Sequence, residues 1–516
     1  MTTRPPHPAA PDRARWAWVS SPRGTLTLLV VWAGFHVLLR LALSSSLTAD
    51  DAREAVLAQS FQWGYQARQP PLYNWLVWLA FRLLGPGLLA LTLLKYAVLV
   101  LAFWLVYLTA RRILADSRLA TVGAFSFLLL VPISWTMHES LTHSVTVLAA
   151  CAGTAYAMIR LERGPGVGAY AALGLAVGLG LLSKFTYALF VAALGLAALT
   201  VGRYRARLLD ARILVAGAVA VALVLPFAAW YVGQSHDLGR LYATEVRIRD
   251  GDHWMAAAGM GLVYVVRIAA YYLAPLAAVL AVCVPIVYRR LPPGAGAPPG
   301  GPLLGWLLVW GLGLLGVTAL AGALAFLKYR WLIPAFFLAP LCPLWRLERH
   351  GGPGERIRAL AIVLIVAEVA VVVGLVVRVT GASFFPRPYR MNEPYDAVAA
   401  GLVRAGFTHG TIVSGFGTLA GNMAVRFPDS RVLHVEYPDF QPRSASDGQC
   451  LLVWDRQRGD RDSGTMPADV RALAERLGVT LAGSEPAGTI EAPFRFDRRH
   501  VHRTHYVLLP GTGRCR

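Results

Sequence analysis

The chain has 516 residues, of which 56 % are hydrophobic and 15 % charged, and its 49 basic and 29 acidic side chains leave a net charge of +20. Soluble domains carry about 25 % charged residues, and the apolar stretches here are long and continuous rather than alternating, which marks helices in lipid and not a transmembrane β-barrel. A disordered chain, a disulfide scaffold and an ordinary cytosolic enzyme are excluded. The basic surplus does not point to nucleic acid either: only Lys95, Lys184 and Lys328 are lysines, and most arginines sit in short loops between apolar runs.

Residues 1–23 are rich in Pro and Arg, with no small-residue cleavage site after the apolar stretch that follows, and are read as a cytoplasmic tail. Runs long enough to cross about 30 Å of hydrocarbon follow at 25–43, 88–109, 119–136, 143–160, 168–182, 185–201, 213–232, 262–287, 303–325, 331–346 and 359–377. The sequence thus predicts eleven spans. Residues 168–201 count as two, because one helix of that length would reach about 51 Å.

With the tail inside, the cytoplasmic loops hold Arg111, Arg112 and Arg118, then Arg160 and Arg163, then Arg203, Arg205, Arg207 and Arg212, then Arg289 and Arg290, and then Arg346, Arg349, Arg356 and Arg358. Every loop obeys the positive-inside rule. An odd number of spans puts loops 44–87, 137–142 and 233–261, and everything after about residue 380, on the outer side.

The texture changes over 381–516, where Pro386, Pro388, Pro394 and many charges replace the apolar runs. Strand-like runs at 411–416, 431–435, 450–454 and 505–509 alternate with helical patterns near 395–405, 417–426 and 467–477, which predicts a small extracytoplasmic α/β domain after a membrane domain over 24–380. Gly415-Phe416-Gly417 lacks the third glycine of a nucleotide loop and is read as a strand-to-helix turn. Cys450 and Cys515 both fall in this region; a disulfide is open to them, with nothing in the sequence to bring them together. Cys151, Cys283 and Cys342 lie in apolar segments as small hydrophobes.

The first outer loop reads Asp50-Asp51-Ala52-Arg53-Glu54 and later Gln69-Pro70-Pro71-Leu72-Tyr73-Asn74-Trp75-Leu76. Asp50 and Asp51 suit the N-terminus of a short helix, where carboxylates complement free amides. An acid beside an apolar surface with Arg53 close by also suits a general base near an anion site. Lys184 stands at the outer end of two spans, Lys328 and Arg330 share a short outer turn against the charge trend, and Lys95 lies about 13 Å inside a span. Ionisable groups in such places mark function or snorkelling.

These residues resemble the bacterial members of glycosyltransferase family 39. The resemblance rests on acid-acid-x-Arg after the first span, Gly64-Tyr65, Pro70-Pro71-Leu72, Gly85, Lys95, Gly178 to Thr186 and Lys328 to Pro334, and covers roughly 25–345. It implies a GT-C membrane fold and inverting transfer of a sugar from a polyprenyl-phosphate carrier to a lipid, glycan or protein acceptor on the outer face of the inner membrane. It makes Asp50 the base, with Asp51 beside it, and assigns Arg53, Lys184 and Arg330 to the carrier phosphate; Lys328, in the turn of Arg330, and Lys95, inside its span, are read from their positions as further candidates for the same phosphate. Gln69, Pro70, Pro71 and Tyr73 belong to a substrate loop.

Two positions depart from the family pattern. Gln69 replaces a basic residue, and the second outer loop offers Glu139 in place of Pro-Asp. Loop 233–261, with His236, Asp237, Glu245, Arg247, Arg249, Asp250, Asp252 and His253, matches no closed zinc spacing and is read as a solvated loop over the site. Some relatives are metal-assisted, so a divalent metal stays open, and no nucleotide cofactor is expected. A transporter or flippase of a lipid-linked sugar and an envelope scaffold are the rival readings; the absence of an internal repeat of the Asp50 loop favours the enzyme.

Reporter fusions test the orientation directly: a fusion after Arg205 is expected to read the cytoplasm and one after Tyr395 the exterior. Two fusions on the same side would remove the odd-span topology.

Overall fold

The computed structural model describes residues 17–140, 142–234, 253–289, 300–350, 356–385, 389–415, 418–437, 440, 442, 447–455, 464–482, 485 and 487–516. Among them, seven helices are long and apolar enough to cross a membrane: Pro22–Leu43, Leu88–Ile113, Thr142–Arg160, Ile213–Val232, Trp254–Cys283, Gly300–Leu320 and Arg356–Thr380. The number becomes nine if Ser117–Leu129 with Val131–Glu139, bent by 80°, and Tyr187–Thr200 with Gly202–Leu208, bent by 118°, each count as one span. Eleven is therefore not the number that helix length and composition give by themselves.

Two expected runs account for the difference. Val167–Ser183 is a separate helix, as expected, but its 17 residues reach only about 26 Å. It ends where Lys184 turns extended, with φ −167° and ψ 140°, before Tyr187–Thr200 begins. The run 331–346 is not one helix: a 3-10 turn at Tyr329–Trp331 is followed by helices Ile333–Phe336 and Leu341–Arg349. Pro334, Pro340 and Pro343 are the cause, since each lacks an amide donor and collides with the preceding turn.

The chain forms two compact units. The first contains Met1–Phe35, Ala97–Thr136 and Ser144–Val369. Its helices pack through small residues, as membrane helices do; Val167–Ser183 lies so close to Ile213–Val232 that a Cβ on Gly174 would meet the Ala216 carbonyl oxygen at 2.3 Å.

The second unit contains His36–Tyr96, Met137–His143 and Ala370–Arg516, so the segment expected as a domain from residue 381 folds together with the loop between the first two long helices. Its sheet has the order β2-β1-β3-β5-β4, with β1 (Gly410–Ser414) parallel to β2 (Arg431–His434) and β3 (Gln449–Asp455). The long β5 (Asp497–Pro510) runs antiparallel to β3 and to β4 (Gly488–Phe494). Helices Tyr395–Arg404, Leu419–Arg426 and Ala468–Arg476 lie where the sequence predicts them. Strand β4 was not expected: its Glu491 and Pro493 read as loop, and an edge strand tolerates both. Cys450 and Cys515 are joined in a disulfide that ties the last residues to β3.

One apolar cluster joins the first loop to this sheet: Val56, Leu57 and Tyr65 pack with Val398, Leu402, Met423, Ile412 and Leu451. Asn422 holds the entry to the Asp50 helix, accepting from the Leu47 amide at 2.9 Å and donating to the Leu47 carbonyl at 3.1 Å. Gln59 does the same for the edge of β2, exchanging two 2.9 Å bonds with the Val432 backbone. Pro71, which needs no amide partner, starts the next helix, Leu72–Leu84, and Gly85 at φ +80° ends it.

The Leu419–Arg426 helix touches the Asp50 helix backbone to backbone, and a Cβ on Gly421 would stand 2.0 Å from the Ala52 carbonyl oxygen. Gly421→Ala is expected to lower stability by about 1–3 kcal/mol. Gly217→Ala, with no atom within 4 Å of its Cβ, should leave stability unchanged or slightly raised. Unfolding in detergent, followed by tryptophan fluorescence, checks the pair; equal midpoints would mean that the two helices are not in close contact.

Candidate active site

The helix Ala49–Leu57 carries three acids, Asp50, Asp51 and Glu54, so Glu54 is i+4 from the first and i+3 from the second. Thr48 precedes the helix in extended conformation, but its hydroxyl makes no backbone cap; it donates to Asp51 Oδ2 at 3.1 Å. The first-turn acids still suit the helix dipole. Their surroundings tell them apart.

Asp51 is buried, and its Oδ1 lies 3.3 Å from Nζ of the equally buried Lys95, from helix Leu88–Ile113. Lys95 is thus the counter-ion of Asp51, and the two candidates from different groups meet. Glu54 is also buried: Oε1 is 3.0 Å from His143 Nε2 and 3.5 Å from the donating Thr142 hydroxyl, while Oε2 accepts from Asn74 Nδ2. Asp50 keeps 19 % of its side chain exposed and lies 4.0 Å from Arg53.

Arg53 faces a further carboxylate. Its Nε and Nη2 donate to Glu436 at 3.2 and 3.3 Å, a two-point pairing with the turn after β2. Burial alone would lower the Arg53 guanidinium, but Tyr437, Glu436 and Asp50 hold it above its ordinary value.

In the substrate loop, Gln66 and Gln69 form an isolated antiparallel bridge, and Pro70 and Pro71 lead into the helix that carries Tyr73 and Asn74. Tyr73 is completely buried, and its hydroxyl has no hydrogen-bond partner among the described residues; Gln69 Oε1 is in the same state. Burial, reinforced by Asp51, Glu54 and Asp50, pushes the Tyr73 phenol well up, so a proton stays on the oxygen that stands beside these carboxylates. Tyr73 and the three acids thus share one polar environment in the second unit.

Glu139 has a different partner: it accepts from the Tyr389 hydroxyl, and Tyr389 is in turn covered by the Arg378 guanidinium, 4.6 Å from its ring centre. The remaining cations belong to the first unit. Lys184, buried at the helix break, donates to Ser144 Oγ at 2.9 Å. Lys328 lies over the Trp331 ring at 5.3 Å, and half-buried Arg330 follows in the same 3-10 turn. Of the candidate outer loop, His253 caps helix Trp254–Cys283, whereas His236, Asp237, Glu245, Arg247, Arg249, Asp250 and Asp252 lie outside the described residues. Among the described residues no three His, Cys, Asp or Glu side chains are grouped to hold a metal ion, so no ligand set is assigned.

The sequence reading missed Glu54, His143, Asn74 and Glu436 as site residues. Glu54 had a signal, a third acid at helical spacing from the first two. Glu436 had none, being 383 residues from Arg53. A second buried group was also missed: His36 stacks on His138 at 4.1 Å, and the Tyr96 hydroxyl lies 2.7 Å from His138 Nδ1.

Comparison with known proteins adds the following. Residues 68–230 match the dolichyl-phosphate-mannose-protein mannosyltransferase family; the match contains Gln69 to Tyr73, Lys95, Glu139 and Lys184, but not the Asp50 helix. The chain is 31 % identical over 492 residues to the lipopolysaccharide core galacturonosyltransferase RgtB of Rhizobium johnstonii, covering 94 % of this chain and 97 % of that protein. It is 28 % identical over 483 residues to RgtA of the same organism, covering 92 % and 94 %. The fold is like that of ArnT from Cupriavidus metallidurans bound to undecaprenyl phosphate, with a TM-score of 0.58, 14 % identity, and coverage of 94 % of this chain and 98 % of that one.

The Asp51–Lys95 pair leads to a stability prediction. Lys95→Met leaves Asp51 buried without its cation and is expected to cost about 3–5 kcal/mol. Adding Asp51→Asn should recover most of this, since neither charge then remains. Detergent unfolding midpoints of the single and double variants check it; a Lys95→Met protein as stable as the parent would show that Asp51 is solvated.

Proposed function

This chain belongs to the family of the lipopolysaccharide core galacturonosyltransferases, and we propose that it transfers a galacturonosyl residue from a polyprenyl-phosphate carrier to a hydroxyl of a lipopolysaccharide core. It is a multi-pass membrane glycosyltransferase, and the transporter and scaffold readings give way to that family membership. The sugar and the acceptor rest on the end-to-end likeness to RgtB. The role of Asp50 rests on one geometric observation: of the three acids on its helix, Asp51 and Glu54 are buried against Lys95 and His143, and Asp50 keeps the more accessible carboxylate.

The chemistry needs one base and a countered phosphate. The Asp50 carboxylate accepts the proton of the acceptor hydroxyl as that oxygen attacks the anomeric carbon. The bond from that carbon to the phosphate oxygen breaks, and polyprenyl phosphate leaves with the electron pair, inverting the centre. Negative charge grows on the phosphate as it departs, so cations there stabilise the transition state more than the bound donor. Lys184 and Arg330 are assigned to that task from the family resemblance, and Lys328 from its place beside Arg330 at the same short turn. No nucleotide is assigned, and no residue is given to a metal.

The protein is placed in the bacterial inner membrane with eleven crossings, two of them the short Val167–Ser183 and the proline-broken 329–349. Residues 381–516 are then extracytoplasmic. The arginine distribution supports this orientation, and so does the Cys450–Cys515 disulfide, which suits an oxidising compartment.

Purified protein given polyprenyl-phosphate galacturonic acid and a lipopolysaccharide core acceptor is expected to yield core heavier by one uronic acid, read by mass spectrometry. Asp50→Asn should remain folded yet lose about two or more orders of magnitude in turnover. Product formed only from a nucleotide sugar would reject the carrier, and an Asp50→Asn enzyme with near-parent turnover would reject the base.

A further inference from the structure

The hairpin between β4 and β5 closes on the pair Phe494 and Asp497, with Arg495 and Phe496 as its two turn residues. Two-residue hairpin turns favour Asn and Gly, so turn chemistry does not account for a cation and an aromatic ring at this tip. The register then shifts, and residues 498–500 lie in a bulge, a device that re-aims side chains at the end of a sheet.

Two long apolar helices end beside the tip. Arg495 Nη2 donates at 3.4 Å to the carbonyl of Ala42, in the last turn of Pro22–Leu43. Arg499 Nη1 donates at 3.3 Å to the carbonyl of Ser383, in the 3-10 turn Ala382–Phe384 that follows Arg356–Thr380. The Arg495 amide is fixed as well, donating to the Asn392 carbonyl at 2.9 Å. These contacts put the tip at the level where both helices leave the hydrocarbon.

The charges at the tip are sorted. Asp497 is fully buried, accepting from the Arg499 amide at 3.3 Å and lying 2.7 Å from His500 Nδ1. Asp396 feels Arg495 but is held by Arg426 at 2.7 Å. Arg495 and Arg499 stay exposed, the first 5.1 Å from the ring centre of half-buried Phe496, and Phe384 is 88 % exposed. A phenylalanine so bare is unfavourable in water and suited to the boundary between headgroups and acyl chains.

We propose that this tip is a docking surface for the phosphate of an anionic phospholipid, by which the sheet region is pinned to the membrane surface. Guanidinium groups match phosphate oxygens in charge and geometry, and a glycerophospholipid carries that phosphate just above its acyl chains, as Arg495 and Arg499 stand beside Phe384 and Phe496. A zwitterionic lipid fits less well because its own ammonium offsets the phosphate. The proposal needs neither the base nor the sugar assigned above.

The full-length protein is reconstituted in nanodiscs of phosphatidylcholine doped with a photoreactive phosphatidylglycerol, and the labelled peptides are mapped by mass spectrometry. The parent, Arg495→Gln/Arg499→Gln, Arg495→Lys/Arg499→Lys and Arg503→Gln are compared. Arg503 is an exposed arginine of the same strand, paired with Glu491 at 2.6 Å, and serves as the control. The parent is expected to be labelled around Phe384 and Arg495 to Arg499, and the Gln pair to lose about fivefold of that labelling while keeping it at other lipid-facing segments. The Lys pair should keep about half or more, since the charge remains and only the fork is lost. Arg503→Gln should match the parent.

A parent without label at these segments, equal labelling by photoreactive phosphatidylcholine, or a Gln pair labelled like the parent overturns the proposal. An unlabelled Lys pair overturns it too, and this decides the matter if the Gln pair fails to insert. A Gln pair that keeps its labelling but has a raised KM for the lipopolysaccharide core acceptor gives the tip to the acceptor instead of the phospholipid.

Discussion

A carboxylate removed from water must be given a partner, and this protein places three of them on one short helix next to apolar surface. Much of the second unit answers that requirement. Lys95 comes from a membrane-crossing helix to meet Asp51, and His143, Thr142 and Asn74 converge on Glu54. With two acids committed, the helix cannot turn or slide without uncovering a buried charge. The ion pairs of Asp51 and Glu54 thus help to hold the helix on which Asp50 stands.

The same constraint explains why residues after 381 belong with the loop that carries the Asp50 helix. A nine-residue helix is not stable alone, and this one obtains its packing from the helix Leu419–Arg426. Gly421 lets the two backbones touch, and Asn422 satisfies both polar groups of Leu47 just before the helix begins. Glu436 then reaches Arg53 from the end of β2. The sheet region is therefore part of the scaffold that presents the acids, and the proposed chemistry depends on how it supports them. Variation in this region could alter turnover without changing any residue that touches the donor.

The two units handle charge differently. In the second unit Asp51 is paired with Lys95, Glu54 with His143 and Glu436 with Arg53, and in the first Lys184, Lys328 and Arg330 stand at helix ends or breaks, supported by Ser144 and Trp331. Proline and extended backbone create those breaks: Lys184 adopts its extended conformation between two helices, and Arg330 lies in a turn ahead of Pro334. Interrupted helices are costly in lipid unless the freed groups are used or covered, which makes the breaks natural places for groups that act on an anion.

The sequence by itself determined the membrane class, the orientation expectation, the alternation of strands and helices in the last third, the Asp50 helix and the list of basic residues, because composition, periodicity and short-range spacing are local properties. It overcounted the uninterrupted spans at 331–346, where hydrophobicity concealed the effect of three prolines, and it passed over β4, whose Glu491 and Pro493 are acceptable only at a sheet edge. Partner choice was decided by tertiary structure alone. Asp51 and Lys95, Glu54 and His143, and Arg53 and Glu436 are 44, 89 and 383 residues apart, and no pattern along the chain says which acid meets which base. Burial makes each pairing obligatory, and only the folded chain brings the partners within reach.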